Sequence, residues 1–366
     1  MSDPLLKKGE RVIQNIIKHL LTIPIQKRIS SFADIDFHTA KILCLRQDAI
    51  GDVLVSTPVF SLLKKHYPTI IVDVLLSNRN YCILENSAAI RKRWLFEKNI
   101  LKLIPLIIRL REERYDVVID LFDTSSTTSI IMSKVVRAKY TLGFQRDTEE
   151  YYSCNIERPS TKHTHIVDRT VQLVTAFNID LSRENIALSY SPSRTSVALV
   201  KDYLRSEDMT KNNILGINIS AGDEARFWGI EHYRKLLQSI GKHHQGYSML
   251  LLYKPEDYER ARRIIEGIEH IHLMPVTQSF DQFAAFVKQL SILITPDTAA
   301  VHLASVFNIP AVVLYIHADQ SLRLWEPYHT DYEVVVTNDT TLATIPVAQV
   351  YEAFNRLIHR HNNIHA

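Results

Sequence analysis

Apolar positions along this chain follow two rhythms. From Lys41 onward, short apolar runs of strand length alternate with longer stretches spaced as one face of a helix. Ile42 to Leu45 reads as a strand, and a loop containing Gly51 leads into a helix from about Val53 to His66. Ile70 to Leu76 reads as the next strand. Ile100 to Arg114 reads as a helix with Pro105 as its kink or start, Val117 to Leu121 as a strand and Ser125 to Arg137 as a helix. His165 to Phe177 has helical spacing. The pattern then weakens over Asp180 to Thr195, where Ser-Arg-Glu-Asn and Ser-Pro-Ser-Arg are turn chemistry.

We therefore place a domain boundary between Asp180 and Asn212, after which the alternation restarts. Strands are expected at Ile214 to Ile219, Met249 to Tyr253, Ile292 to Thr295 and Ala311 to Tyr315. Helices are expected at His232 to Ile240, Asp257 to Ile265, Phe280 to Leu290, Ala299 to Phe307 and Val347 to His359. Strands alternating with helices predict βαβ units and parallel sheets. The expected fold class is α/β, with two doubly wound domains over residues 37–190 and 191–345. A helical extension over 1–36 precedes them and a helix over 346–366 follows. Such sheets bind ligands at the carboxyl ends of their strands, so facing domains would form one deep cleft.

The extension has its own pattern. Val12, Ile13, Ile16, Ile17, Leu20 and Leu21 form an apolar helical stripe, with Lys7, Lys8, Arg11 and Lys18 on the other side. A basic amphipathic helix on an anionic inner-membrane surface is one reading. A helix packed on the protein's own body is the other, and the more ordinary. The first ten residues include Asp3 and lack an apolar signal core, so a secretory signal is not expected. The longest apolar candidate for a span, Ile100 to Leu110, is broken by Lys102, Pro105 and Arg109. Three cysteines with no CxxC pair suit a reducing cytoplasm, and the expected location is cytoplasmic, with peripheral inner-membrane contact through the extension. A net charge of +3 over 366 residues does not point to nucleic acid.

Three loops carry candidate chemistry. Arg46-Gln-Asp-Ala-Ile-Gly-Asp52 follows the first strand. Gly51 permits a tight turn or close ligand approach, and Asp48 or Asp52 can take a proton from a substrate hydroxyl. On local chemistry alone, Asp52 as a helix cap is the favoured role. No GxGxxG or GxxxxGK[ST] occurs. Ser220-Ala-Gly-Asp-Glu-Ala-Arg-Phe-Trp228 opens the second domain, with room beside Ser220, Ala221 and Gly222 and with Arg226 suited to phosphate oxygens. The free N–H groups of the helix that follows suit an anion. Thr295-Pro-Asp-Thr-Ala-Ala-Val-His302 places Asp297 at an expected helix N-cap with Thr298 assisting, and His302 further along that helix. A capped helix with a satisfied core histidine is the plain alternative. His163-Thr-His165 has the spacing of half a metal site, but no matching Cys or carboxylate pair lies nearby in sequence, so a non-metal role is expected. Arg91-Lys-Arg93 beside Trp94 reads as a solvated helix face, or as a contact for an anionic acceptor.

Taken together, in this order and spacing, these loops resemble glycosyltransferase family 9, whose members include heptosyltransferases of the lipopolysaccharide inner core. The family's [RK]-x-D-x-x-G-D loop is matched by Arg46 to Asp52 followed by Val-Leu-Val-Ser-Thr-Pro58. Its K-x-W motif is matched by Arg226-Phe-Trp228, with arginine for lysine, and its D-T-G-x-x-H-L-A motif by Asp297 to Ala304, with Ala299 for glycine. The likeness runs from about Lys41 to the C-terminus. It implies a GT-B fold, with the C-terminal helix crossing back. It also implies an inverting, metal-independent transfer from a nucleotide sugar of the ADP-heptose type to a lipopolysaccharide core or other glycan acceptor. No cofactor is implied beyond the donor substrate. By the same resemblance Asp52 is the general base, and Arg226 neutralises charge on the departing diphosphate. Asp297 holds donor hydroxyls, the N–H groups near Thr298 and Ala299 hold the phosphates, and His302 supports the donor. Ser220, Ala221 and Gly222 complete the donor loop, with Glu256 toward the nucleotide ribose. Asp48, Gly51 and His165 are expected on the acceptor side. Three readings stay open: another nucleotide sugar as donor, a nucleotide-sugar epimerase or phosphorylase on the same architecture, and a non-catalytic nucleotide-sugar-binding protein.

Overall fold

The computed structural model describes residues 28, 29, 32, 34–124, 126–145, 151–160, 162–209, 213–316 and 324–365, with side chains to Arg360. The expected N-terminal extension, with its stripe from Val12 to Leu21, lies outside the described residues except for its last few positions. The chain divides into two compact units. The first takes residues up to Ser160 together with Ile166–Ile186, and the second takes Thr161–His165 and everything from Ala187.

The first unit contains β1 (Lys41–Leu45), α1 (Ile50–His66), β2 (Ile71–Ser77), β3 (Lys92–Phe96), α2 (Ile100–Glu112), β4 (Val117–Asp120), α3 (Thr127–Val135), β5 (Tyr140–Phe144), β6 (Cys154–Ile156) and α4 (Ile166–Thr170). Its six strands form one sheet in the order β3-β2-β1-β4-β5-β6. Every pair is parallel, with Ile42 opposite Val72 on one side and Val117 on the other. The second unit contains α5 (Arg194–Ser206), β7 (Asn213–Asn218), α6 (Ile230–His243), β8 (Tyr247–Leu252), α7 (Tyr258–Ile265), β9 (Ile271–Leu273), α8 (Phe280–Val287), β10 (Ile292–Pro296), α9 (Ala299–Phe307), β11 (Ala311–Ile316), β12 (Tyr332–Thr337) and α10 (Val347–His365). Its sheet, β12-β11-β10-β7-β8-β9, is also parallel throughout. Numbered from its own first strand, it repeats the order of the first sheet. That order reverses direction between β1 and β4 and again between β7 and β10, the places where such folds leave a crevice for ligands.

Central strands are apolar because both of their faces are covered by helices. β1 and β4 are almost wholly buried, as are β10 and most of β7. One core cluster joins Leu43, Leu75, Trp94, Phe96 and Val118 from the sheet to Leu106 and Leu110 of α2. In the second unit Trp228 is buried and donates its Nε1–H to the Ile345 carbonyl, 2.9 Å away.

Several expectations change. Arg91-Lys-Arg93 belongs to an edge strand and its approach, not to a helix. Its charges are used internally: Arg91 pairs with the buried Asp73 and with Glu113, Lys92 sits 3.5 Å from the Trp94 ring, and Arg93 donates to the Tyr81 carbonyl. Gly51 makes no turn; it lies in the first turn of α1, which starts at Ile50 rather than near Val53. Helix α5 begins at Arg194, inside the weakly patterned stretch Asp180 to Thr195, and fills part of the range left for the boundary. The last helix packs on α6, β11 and β12 of the second unit.

Gly143 in β5 faces Tyr152, whose hydroxyl donates to the buried Asp120. A Cβ there would run into the Tyr152 ring. Gly143→Ala should therefore lower stability by about 1–3 kcal/mol, the usual cost of overpacking, in urea unfolding. A variant as stable as the parent would show that Tyr152 can move without cost.

Candidate active site

The Arg46–Asp52 loop leaves the carboxyl end of β1 and enters α1. Arg46 is 1% exposed, and its guanidinium is held from several sides. Nε donates to the Asp52 carbonyl at 2.9 Å and NH1 to the Leu121 carbonyl at 2.8 Å. NH1 also lies 3.3 Å from Asp48 Oδ2, and NH2 lies 3.4 Å from Asp52 Oδ1. Asp52 is the third residue of α1. Its Oδ2 accepts the Ala49 N–H at 3.0 Å, so it steadies the helix start from the third position, while Ala49 and not Asp52 is the N-cap residue. Its carboxylate is therefore fixed by a buried cation on one side and a helix N-terminus on the other.

Asp48 faces a different environment. Burial raises its pKa to about 6, against the lowering effect of Arg46, and the Asp52 charge raises it further. Asp48 Oδ1 and both polar atoms of the Gln47 amide are buried with no hydrogen-bond partner among the described residues. Both side chains line a pocket of about 550 Å³. Its other walls are Ser77, Asn78 and Arg79 after β2, Glu97, Lys98 and Asn99 after β3, Phe122 after β4, and Ser126 and Thr128 at the start of α3. Every wall comes from the carboxyl-end side of the sheet, the side where doubly wound folds bind ligands. Polar atoms without partners beside such a space are suited to a polyhydroxyl ligand. Sequence reasoning found Asp48 but missed Gln47, Arg79 and Lys98. The signal available was their position just past strand ends.

In the second unit, three loops meet at the carboxyl ends of β7, β8 and β10. Asn218 Nδ2 donates to Thr295 Oγ1 at 2.9 Å, tying β7 to β10. Ser220 Oγ donates to Asp257 Oδ2 at 2.7 Å and accepts the Lys254 N–H at 2.7 Å, tying the loops after β7 and β8. Ala221 is buried, and Gly222 lies close enough to Arg226 that an added Cβ would sit 3.5 Å from its NH1. Arg226 is held loosely, 3.7 Å from Asp297 and 3.9 Å from Asp223, with its side chain 41% exposed. Burial raises the Asp297 pKa, and Arg226 works against that rise.

Thr298, not Asp297, is the N-cap of α9, and its Oγ1 accepts the Ala300 N–H. Asp297 is thereby left to face Arg226. The helix after Arg226, α6, has Gly229 as its N-cap, with φ +111° and no side-chain cap. Ala299 is half-buried in the first turn of α9. His302 is buried and held neutral: burial and the nearby His165 lower its pKa to about 3. His302 Nδ1 has no partner among the described residues. His165, expected on the acceptor side in the first domain, belongs to the second unit. There it contacts the Glu326 carbonyl at 2.9 Å and packs against Tyr328 with the two rings tilted. No group of three His, Cys, Asp or Glu side chains suited to a metal occurs among the described residues. Glu256 is exposed in the turn after β8. Lys254, which sequence reasoning passed over, points its Nζ to the Ala221 carbonyl at 3.3 Å.

The sequence profile of glycosyltransferase family 9 (heptosyltransferase) matches residues 104–349. The chain belongs to glycosyltransferase family 9. It is 24% identical over 342 residues to lipopolysaccharide heptosyltransferase 3 of Escherichia coli, covering 84% of this chain and 96% of that one. A family 9 glycosyl transferase from Veillonella parvula superposes with a TM-score of 0.75 at 18% identity, covering 89% and 99% of the two chains. The E. coli ADP-heptose lps heptosyltransferase II does so with 0.69 at 20% identity, covering 88% and 99%. The fold is GT-B, built from two Rossmann-like units. The protein is a family 9 glycosyltransferase, and its loops at Arg46–Asp52, Ser220–Trp228 and Asp297–His302 are the candidate machinery.

The Asp48 carboxyl gives a measurable consequence. Its folded pKa is raised, so the folded chain holds this proton more tightly than the unfolded chain does. The resulting stability is fully present below the unfolded value near 4 and is lost as pH rises through about 6. Asp48→Asn cannot ionise, so it should melt above the parent at about pH 7.5, with the gap closing below about pH 4. A gap independent of pH would rule out a buried, reluctant carboxyl at this position.

Proposed function

We propose that this glycosyltransferase moves a heptose from ADP-heptose to a lipopolysaccharide core acceptor on the cytoplasmic side of the inner membrane, inverting the anomeric centre without a metal. One observation carries the reading. In this family 9 chain a held carboxylate stands at the carboxyl end of one Rossmann sheet, and an exposed guanidinium stands at the carboxyl end of the other. Displacement at an anomeric carbon needs just these two functions: a base on the attacking hydroxyl and positive charge on the departing diphosphate. The names of the relatives, lipopolysaccharide heptosyltransferase 3 and ADP-heptose lps heptosyltransferase II, supply the donor and acceptor classes.

In this mechanism Asp52 takes the acceptor proton, with Arg46 and the Ala49 N–H orienting its carboxylate. Asp48 and Gln47 bind acceptor hydroxyls in the pocket beside it. Gly51 leaves the first turn of α1 without a side chain. Arg226 exchanges its long contacts to Asp223 and Asp297 for diphosphate oxygens, which a planar guanidinium binds through two N–H groups at once. Asp297, so released, accepts from donor hydroxyls. The first turn of α9 at Thr298 and Ala299 faces the phosphates, and Ser220, Ala221 and Gly222 form the floor. Neutral His302, with His165 behind it, supports the donor, and Glu256 reaches for the ribose. The acceptor is bound by one unit and the donor by the other, so transfer requires both to be loaded.

Two measurements test this. ADP, supplied about 100-fold above its dissociation constant, should raise the melting temperature by several degrees, and UDP, GDP and CMP should not. A shift with UDP or GDP alone would replace the donor. No shift with any nucleotide would favour the non-catalytic reading. Asp52→Asn should cut transfer by about 10²–10⁴-fold while preserving the ADP shift. If Asp52→Asn stays active and Asp48→Asn does not, the base is Asp48.

A further inference from the structure

Helix α2 is apolar on two sides. Leu103, Leu106, Ile107 and Leu110 pack into the core. On the opposite side Ile100, Leu101, Ile104 and Ile108 are 63%, 78%, 52% and 51% exposed. With about 100° between successive residues, Leu101, Ile104, Pro105 and Ile108 fall on one stripe, with Ile100 at its margin. An isolated exposed isoleucine is ordinary, but a contiguous apolar strip marks a contact surface. The other large exposed apolar side chains among the described residues, Leu199, Tyr258, Val276 and Val336, stand singly on separate elements.

Charge and position indicate what covers the strip. Lys102 and Arg109 flank it on one side and Arg111 on the other, with Lys98 just ahead of the helix. Glu97 is paired to Lys102 at 2.7 Å and exposed Glu112 ends the strip, so over residues 97–112 Lys98, Lys102, Arg109 and Arg111 still outnumber the two carboxylates. The strip also continues directly from the acceptor pocket, because Glu97, Lys98 and Asn99 line that pocket and Asn99 caps α2. No helix among the described residues is long and apolar enough to cross a membrane. An apolar ridge edged with cations at a pocket rim matches the chemistry of an anionic bilayer, in which the ridge enters the acyl boundary and the cations meet lipid phosphates.

We propose that the outer face of α2 is the surface by which this protein rests on an anionic lipid bilayer, presenting the mouth of the pocket to the lipid surface. That an acceptor arrives there lipid-anchored rests on the proposed function; the docking itself does not.

The full chain is tested by co-sedimentation with vesicles of phosphatidylethanolamine and phosphatidylglycerol, and with phosphatidylcholine vesicles. The parent should pellet with the anionic vesicles and far less with the neutral ones. Leu101→Glu/Ile108→Glu should weaken the anionic partition by about tenfold or more, because two inserted side chains become charged. Leu101→Ala/Ile108→Ala should fall between the two and guards against a folding defect, as should unchanged melting temperatures. No vesicle binding by the parent would overturn the proposal. So would equal binding by the Glu variant, which would place the contact elsewhere, for instance on the Val12 to Leu21 stripe. A parent dimer that the Glu variant makes monomeric, with vesicle binding unchanged, would assign the strip to a second copy instead. Loss of nucleotide binding with vesicle binding intact would defeat the transferase reading and leave this one standing.

Discussion

A guanidinium without access to water must have its N–H groups met by protein, and Arg46 sits where that demand organises the first unit. It receives the Asp52 carbonyl from α1, the Leu121 carbonyl from the end of β4, and the carboxylates of Asp48 and Asp52 from its own loop. Its own carbonyl accepts from Asn80 after β2. Strand, helix and two neighbouring loops are thus bound to one cation. Stripping that guanidinium of all its partners would strand a buried charge in low dielectric, which costs far more than any one contact returns. The positions of both candidate base carboxylates follow from that single constraint.

The arginine at the strand ends of the second sheet is held the other way. Arg226 is partly solvated, and its contacts to Asp223 and Asp297 are near the outer limit for ion pairs. Screened pairs of that kind contribute little to stability, so exchanging them for a diphosphate sacrifices little. In the proposed mechanism a buried, fully engaged arginine positions the base, and a loosely engaged one is free for the leaving group. Asp297 follows from the same arrangement, because Thr298 caps α9 and the carboxylate beside it is not tied to the backbone.

The architecture was legible where patterning is strongest. Central strands of a parallel sheet are buried on both faces, so Ile42 to Leu45, Val117 to Leu121 and Ile292 to Thr295 stand out as continuous apolar runs. Edge strands obey a different rule. β3 lies at the rim of its sheet, where charged side chains are tolerated and protect the open edge, so Arg91-Lys-Arg93 looked like a solvated helix. Short β6 and β9 are edge strands too, one in each sheet, and carry no continuous apolar run for a similar reason.

Sequence alone determined the two α/β halves, the three loops and their family, because strand ends and helix starts are encoded by neighbours along the chain. It could not decide what depends on atoms brought together from distant positions. Asp48 acquires its raised pKa from burial beside Arg46 and Asp52, whereas the adjacent Gln47 is left with partnerless polar atoms in a pocket walled by four strand ends. His165 joins the second unit through the Glu326 carbonyl, more than a hundred residues away. The exposed side of α2 is likewise a tertiary fact: Ile104 and Leu106 read alike in the chain, and only packing of one face on the sheet leaves the other facing solvent.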